Sequence, residues 1–205
     1  MIELFISSFI TFFVVIDPPG CAPIYAGLTA GAGAAQRRAM AVRAVGVAAL
    51  ILIVFALFGE KLLKGLGIEL ASFRIAGGIM LFLIALEMVF EKRTQRREDR
   101  AANVTPEEAE DVSIFPMAMP MIAGPGSIAS VMLLMARNDG LERSAVVLAA
   151  LGAVLVLTLV ALLAAGPLMR LLGHKIEAVI TRLLGVLLAA LAVQFVIDGV
   201  QVQFG

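Results

Sequence analysis

The sequence predicts an all-α, polytopic membrane protein of six transmembrane helices, arranged as two inverted three-helix repeats in which helices one and four are broken. Three observations predict it. Hydrophobic residues make up 61% of the 205 residues and charged ones only 16%, whereas a soluble domain carries about a quarter charged. The apolar residues gather into six stretches, each close to the roughly 20 residues that cross a hydrocarbon core. Proline and glycine interrupt the first and fourth stretches at corresponding places.

The stretches run over about 3–30, 40–60, 70–90, 113–136, 144–169 and 177–200. The first carries Glu3 near its start and no basic residue before Arg37, so it reads as helix one and not as a cleaved leader. A small-residue loop with Arg37 and Arg38 leads to the second stretch, and a short turn with Lys61 and Lys64 leads to the third. After it comes the single long connection, about 91–112. It holds Glu91, Lys92, Arg93, Arg96, Arg97, Glu98, Asp99 and Arg100, then Thr105, Pro106, Glu107, Glu108, Glu110 and Asp111. That mixture is too polar to bury and reads as a tether. The fourth and fifth stretches are joined by a turn with Arg137, Asp139, Glu142 and Arg143, the fifth and sixth by one with Arg170 and Lys175. The chain is thus expected to form a single membrane domain over 1–205, with repeat 1 over about 1–90, a cytoplasmic linker over about 91–112 and repeat 2 over about 113–205.

Loops rich in Lys and Arg stay in the cytoplasm. Placing the N-terminus outside puts eleven of the sixteen Lys and Arg residues on the cytoplasmic side: Arg37, Arg38, Arg43, Lys92, Arg93, Arg96, Arg97, Arg100, Arg170, Lys175 and Arg182. Both termini are therefore expected outside.

The halves resemble each other at an offset of about 106–108 residues. Ile16-Asp17-Pro18-Pro19-Gly20 aligns with Ile122-Ala123-Gly124-Pro125-Gly126, and Arg74-x-x-Gly77 with Arg182-x-x-Gly185; Gly59 has its counterpart in Gly166. Three spans per half is an odd number, so the halves insert with opposite topology, the inverted repeat of many secondary transporters.

Proline inside a helix lacks an N–H and frees the carbonyl four residues earlier. Pro18 and Pro19 free the carbonyls of Val14 and Val15, and Pro125 frees that of Met121. Paired Gly/Pro interruptions are the sequence's best pointer to a transport site, against the plainer reading of two kinked helices. Asp17, about fifteen residues into the first span, costs roughly 3 kcal/mol at membrane depth by insertion scales. It has four available roles: binding an ammonium group, pairing with an arginine, carrying a proton, or capping the half-helix that starts at the prolines. The N–H groups after Gly20 and Gly126 suit a carboxylate, and Ser127 and Ser130 add hydroxyls that in membrane helices commonly bond a carbonyl instead. The candidate binding residues are accordingly Val14, Val15, Asp17, Pro18, Pro19, Gly20, Cys21, Gly124, Pro125, Gly126 and Ser127. Arg74 and Arg182 are expected to snorkel, with pairing to Asp17 as the lesser alternative. Glu87 reads as solvated and Gln194 as bonded to another helix. Gly77-Gly78 and Gly27-x3-Gly31 carry the small-residue spacing of close helix approach.

Several functions drop out. One cysteine, Cys21, and one histidine, His174, build neither a disulfide nor a cysteine or histidine metal site. A net charge of zero leaves no footprint for nucleic acid. No HExxH or G-x-S-x-G motif occurs, so no enzyme is expected, and no cofactor is implied.

At the two interruptions the residues resemble a known family. Val14-Val15-Ile16-Asp17-Pro18-Pro19-Gly20-Cys21-Ala22-Pro23-Ile24 and Pro116-Met117-Ala118-Met119-Pro120-Met121-Ile122-Ala123-Gly124-Pro125-Gly126-Ser127 are similar to signatures of the MarC family, as are Phe73 to Gly78 and Ile180 to Gly185. The resemblance implies six spans in the bacterial inner membrane and kinship with neutral amino acid transporters. Cys21 stands where Asn is common in the family. The expectation is a secondary transporter of a small neutral solute such as glycine or alanine, with a proton or sodium ion as candidate coupling partner. A channel-like exporter and a regulatory membrane protein are the alternatives.

Overall fold

The computed structural model describes residues 1–102, 111–138 and 140–204, with the side chains at 94, 100–102 and 168–177 outside that description. Of the positions read above, Thr105, Pro106, Glu107, Glu108, Glu110 and Asp139, and the side chains of Arg100, Arg170, His174 and Lys175, lie outside the described residues.

The first apolar stretch folds as α1 (Ile2–Ile16) and α2 (Pro18–Leu28), followed by α3 (Ala34–Gly65), α4 (Leu70–Val89) and α5 (Lys92–Ala102). A wide-turned segment, Ser113–Ile122, leads into α6 (Pro125–Arg137), α7 (Leu141–Leu163) and α8 (Ala165–Phe204). No strand occurs among the described residues. Five helical stretches are long and apolar enough to cross a bilayer: Ile2–Leu28, α3, α4, α7 and Ala178–Phe204 of α8. Ser113–Ile122 and α6, bent by 52° at their junction, make a sixth if the pair is one span.

The structure differs from the sequence reading at most of the connections: Lys61 and Lys64 lie in the last turns of α3, and Glu142 and Arg143 in the first turn of α7, not in turns between helices. α3 starts at Ala34, so Arg37 and Arg38 lie in its first two turns and not in a loop. α8 runs unbroken from Ala165, absorbing the expected turn around Arg170 and Lys175; Pro167 falls in its first turn, where the missing N–H is no loss. The first half of the stretch read as a tether forms α5, eleven residues rich in Lys, Arg, Glu and Ala, which are good helix formers.

Helices α4 and α8 pack antiparallel in the most extensive contact of the fold. Small residues let their backbones approach. A Cβ on Gly78 would lie 2.8 Å from the Ala192 carbonyl oxygen, one on Gly185 3.1 Å from that of Ala85, and one on Gly199 3.0 Å from that of Ala71. Gly77 is likewise tight, against Leu133, whereas Gly27 and Gly31 face open space. Only the first of the two expected small-residue spacings is a packing contact. α7 lies on α1, α2 and α3, and α3 also covers Ser113–Ile122 and α6. The core thus closes around the two interrupted spans, with Phe12, Ile16, Met117, Ile122 and Leu133 fully buried. Leu50, Val54 and Leu57 on α3, Leu83 on α4 and Leu183 and Val186 on α8 stay exposed, as suits faces turned to hydrocarbon.

Candidate functional site

The α1–α2 junction is built around one residue. Asp17 adopts a left-handed conformation, φ 59° and ψ 65°, which Asp tolerates better than most residues because its short side chain can bond locally. It ends α1 by donating its own N–H to the Phe13 carbonyl at 2.9 Å. It also starts α2, where Oδ1 accepts the Gly20 N–H at 3.2 Å and Pro18 and Pro19 occupy the first two helical positions. Capping, one of the four roles open to Asp17, is therefore realised.

Pairing with an arginine is realised too, through a residue the sequence reading had assigned to a solvated tether. Arg97 of α5 donates from Nη1 to Asp17 Oδ2 at 2.9 Å, and the two side chains are 6% and 1% exposed. Its Nη2 reaches the Ile16 carbonyl at 3.3 Å. Arg93, one helical turn earlier on the same face, donates from Nη2 to the Val15 carbonyl at 2.6 Å and from Nη1 to Met88 Sδ at 3.0 Å. Pro19 freed the Val15 carbonyl, and a guanidinium fills the vacancy. The expectation that this stretch is too polar to bury fails, among the described residues, at Arg93 and Arg97 alone, because the backbone of the α1–α2 junction and its carboxylate supply the partners. Neither Arg74 nor Arg182 serves Asp17: Arg182 pairs with Glu91 and Arg74 is half-buried on α4.

The second junction is built differently. Pro116 and Pro120 lie in Ser113–Ile122, where Phe115 and Met119 leave helical geometry. The remaining bonds are stretched by one residue, as from the Ala123 N–H to the Ala118 carbonyl at 2.9 Å. Gly124 then precedes Pro125, the first residue of α6. A Cβ on Gly124 would lie 2.4 Å from the Pro120 carbonyl oxygen, so only glycine fits. Ser127 turns its hydroxyl back to the Ile122 carbonyl at 2.7 Å. The first backbone bond inside α6 comes from the Ile128 N–H to the Gly124 carbonyl at 3.0 Å. The N–H groups of Gly126 and Ser127 precede it and meet no backbone acceptor among the described residues.

A cavity of about 390 Å³ opens between these parts, lined by Val15, Met80, Leu83, Ile84, Glu87, Arg93, Arg96, Arg97, Pro120, Met121 and Gly124 to Ser127. It brings together five of the sequence-predicted residues: Val15, Gly124, Pro125, Gly126 and Ser127. The two interrupted spans touch here, since a Cβ on Gly126 would lie 3.3 Å from Val15 Cγ1. The other six do not line it. Val14 faces a shallow groove beside Ser7, Thr11 and Leu188. Asp17 and Gly20 lie against Arg97, where Gly20 has no room for a Cβ beside Asp17 and Arg97 Nη1; Pro18 and Pro19 head α2, and the Cys21 thiol is buried on the Ile16 carbonyl at 3.5 Å.

The cavity has two electrostatic faces. One combines the α6 N-terminus with Arg93, a face that attracts an anion. Burial first, and the neighbouring Arg97 charge second, lower the Arg93 guanidinium to about 10, so it stays cationic at neutral pH. The other face carries Glu87, whose Oε1 accepts from Arg96 Nη2 at 2.6 Å; the Arg96 side chain is 57% exposed. The two ion pairs differ in what they cost to open. An exposed pair contributes about 0–1 kcal/mol, whereas removing one partner of a buried pair costs about 3–5 kcal/mol.

Arg93, Arg96, Arg97 and Glu87 are the site residues the sequence reading missed. The signal was present in the i, i+4 spacing of Arg93 and Arg97 along a helix-forming run, together with a buried Asp17 in need of a cation. Gln194 bonds Asp198 of its own helix at 2.7 Å, not another helix, and Asp198 in turn binds Arg137 at 3.0 Å. Among the described residues no three His, Cys, Asp or Glu side chains converge to hold a metal ion.

The profile of a family described as "MarC family integral membrane protein" matches residues 2–204. Similar curated proteins include a UPF0056 membrane protein of Methanocaldococcus jannaschii, 36% identical with 98% of this chain and 97% of that protein covered. The UPF0056 membrane protein YvbG of Bacillus subtilis is 35% identical, with 100% and 97% covered. The UPF0056 inner membrane protein YhgN of Escherichia coli is 33% identical, with 96% and 95% covered. No solved structure matches.

Proposed function

The chain belongs to the MarC family of integral membrane proteins, and we propose that it works as a secondary transporter of small neutral solutes, with glycine and alanine as the first candidates. The observation that carries this reading is the two-faced cavity where the interrupted spans meet. A carboxylate there would take the N–H groups of Gly126 and Ser127 together with the Arg93 guanidinium. Half-helix N-termini aimed at an anionic substrate group near the membrane middle are a recurrent transporter device. The reading is that of a carrier and not of an enzyme.

The pattern of helix contacts supports an inverted repeat. If α1, α2, α3 and α4 correspond to Ser113–Ile122, α6, α7 and α8, the contact of α1 with α7 has its counterpart in that of Ser113–Ile122 with α3. Likewise α2 on α7 matches α6 on α3, and α2 on α8 matches α6 on α4. Gly78 against Ala192 and Val196 is mirrored by Gly185 against Ala85 and Met88, close to the sequence offset. Rocking of one repeat against the other around the cavity would give alternating access. The excess of Lys and Arg favours both termini outside and the α5 side in the cytoplasm. The printed name of the Escherichia coli relative favours the inner membrane.

Liposomes holding the purified protein test the reading. Labelled glycine or alanine should show saturable uptake and counterflow, which a channel does not give, and imposing a proton or a sodium gradient identifies the coupling ion. Arg93→Gln should raise the KM about tenfold, the loss of roughly 1.4 kcal/mol expected for one charge-assisted hydrogen bond to a carboxylate. Absence of flux for both amino acids under either gradient sinks the amino acid assignment.

A further inference from the structure

We propose that Glu87 forms the ammonium subsite of this cavity and that Arg96 occupies it as an intramolecular stand-in while the solute is absent. The proposal rests on the cavity being the solute site. Glu87 is the one carboxylate among the lining residues. It continues a stripe of α4, Met80, Leu83, Ile84 and Glu87, whose spacing of three and four residues places all four on one helix face. Ile84 fixes where that stripe lies, since its Cδ1 would be 2.6 Å from a Cβ on Gly126. Glu87, three residues on, is therefore about one helical turn, roughly 5 Å of rise, from the point where α4 meets the N-terminus of α6.

Asp17, the carboxylate the sequence points to, is closed to a solute. Its side chain is 1% exposed and carries Arg97 on Oδ2 and the Gly20 N–H on Oδ1. Freeing it would break an ion pair whose two side chains are 6% and 1% exposed. Glu87 differs on each count. Its side chain is 21% exposed, and among the described residues its carboxylate bonds only Arg96, a side chain more than half in the open. A guanidinium on an exposed arm leaves at little cost, and an ammonium group entering the cavity replaces one cationic hydrogen-bond donor by another. With Arg93 and the α6 N-terminus lining the same cavity, the cavity becomes complementary to a zwitterion and selects against acids that lack the amine.

Counterflow of labelled glycine in proteoliposomes, with wild type, Glu87→Gln and Arg96→Ala side by side, tests this. Glu87→Gln should raise the glycine KM at least tenfold, while competition by acetate, which has the carboxylate but no amine, weakens less than twofold. Arg96→Ala should lower the glycine KM about threefold, because the competitor for Glu87 is gone. Opposite signs for the two variants are the signature, since a purely structural ion pair would move both KM values the same way. A wild-type protein that counterflows glycine, with Glu87→Gln unchanged in KM, overturns the subsite and leaves the transport reading standing. A wild type inactive towards glycine and alanine overturns the transport reading and the subsite with it. If Glu87→Gln does not reconstitute, Arg96→Ala decides, a KM that is unchanged or raised overturning the proposal.

Discussion

Asp17→Asn and Arg97→Gln are each expected to lower the stability of the folded protein by about 3–5 kcal/mol, because each removes one member of a buried ion pair. For a chain of this length that is a fall of roughly 6–20 °C in the thermal midpoint, measurable on the detergent-purified protein. The geometry argues for the upper part of the range. The pair is more than nine-tenths buried, Gly20 donates to the same carboxylate, and the guanidinium also holds the Ile16 carbonyl. Asn can keep the cap of α2, since its side-chain carbonyl still accepts the Gly20 N–H, so the loss in Asp17→Asn is that of the charge. The double variant removes both charges and should recover part of the midpoint lost by either single variant, since the uncompensated charge and not the missing attraction is the larger penalty. Glu87→Gln makes the contrast, as its exposed pair with Arg96 should move the midpoint by little. A drop of only a degree or two in both single variants would mean that Asp17 and Arg97 are not a structural pair.

Gly78→Ala should destabilise the protein by about 1–3 kcal/mol through overpacking, whereas Gly152→Ala should not. The two substitutions add the same methyl group to a membrane helix. At Gly78 it would meet the Ala192 carbonyl oxygen at 2.8 Å and the Val196 nitrogen at 3.0 Å, both backbone atoms that move only if α8 moves. At Gly152 it meets nothing within 4 Å, so the substitution keeps only the better helix propensity of alanine. Gly126→Ala should fall between them, because its nearest neighbour is the movable end of the Ile84 side chain. Unfolding midpoints of the three variants in one detergent give the order directly, and equal midpoints for Gly78→Ala and Gly152→Ala would dispose of the close-packed α4–α8 seam.

Much of the site was legible because its cause is local. A proline removes its own N–H and crowds the carbonyl four residues back wherever it stands, so the interruptions at Pro18-Pro19 and at Pro125 follow from the chain alone. Asp17 was marked by the cost of a carboxylate at membrane depth. Its partner was harder to read, because Arg97 lies 80 residues away among sixteen Lys and Arg residues. Glu87 was misjudged for a related reason. Near the end of α4 it is where solvation is the usual outcome, and only the return of α5 beside it makes a cavity wall of that position.

The sequence by itself determined that this is an all-helical membrane protein, roughly where its apolar stretches lie, and where Pro and Gly fall within the first and fourth of them. These follow from hydropathy and from the backbone chemistry of Pro and Gly, which act over one or two helical turns. Only the tertiary structure decided that α5 folds back onto the α1–α2 junction, that Arg97 and Arg93 take the carboxylate and the freed carbonyl, and that the open cavity carries Glu87 instead of Asp17. The physical reason is that burial of a charge is settled by partners brought together across the fold. A guanidinium that would be solvated on a tether becomes a buried donor once a broken span presents an acceptor to it.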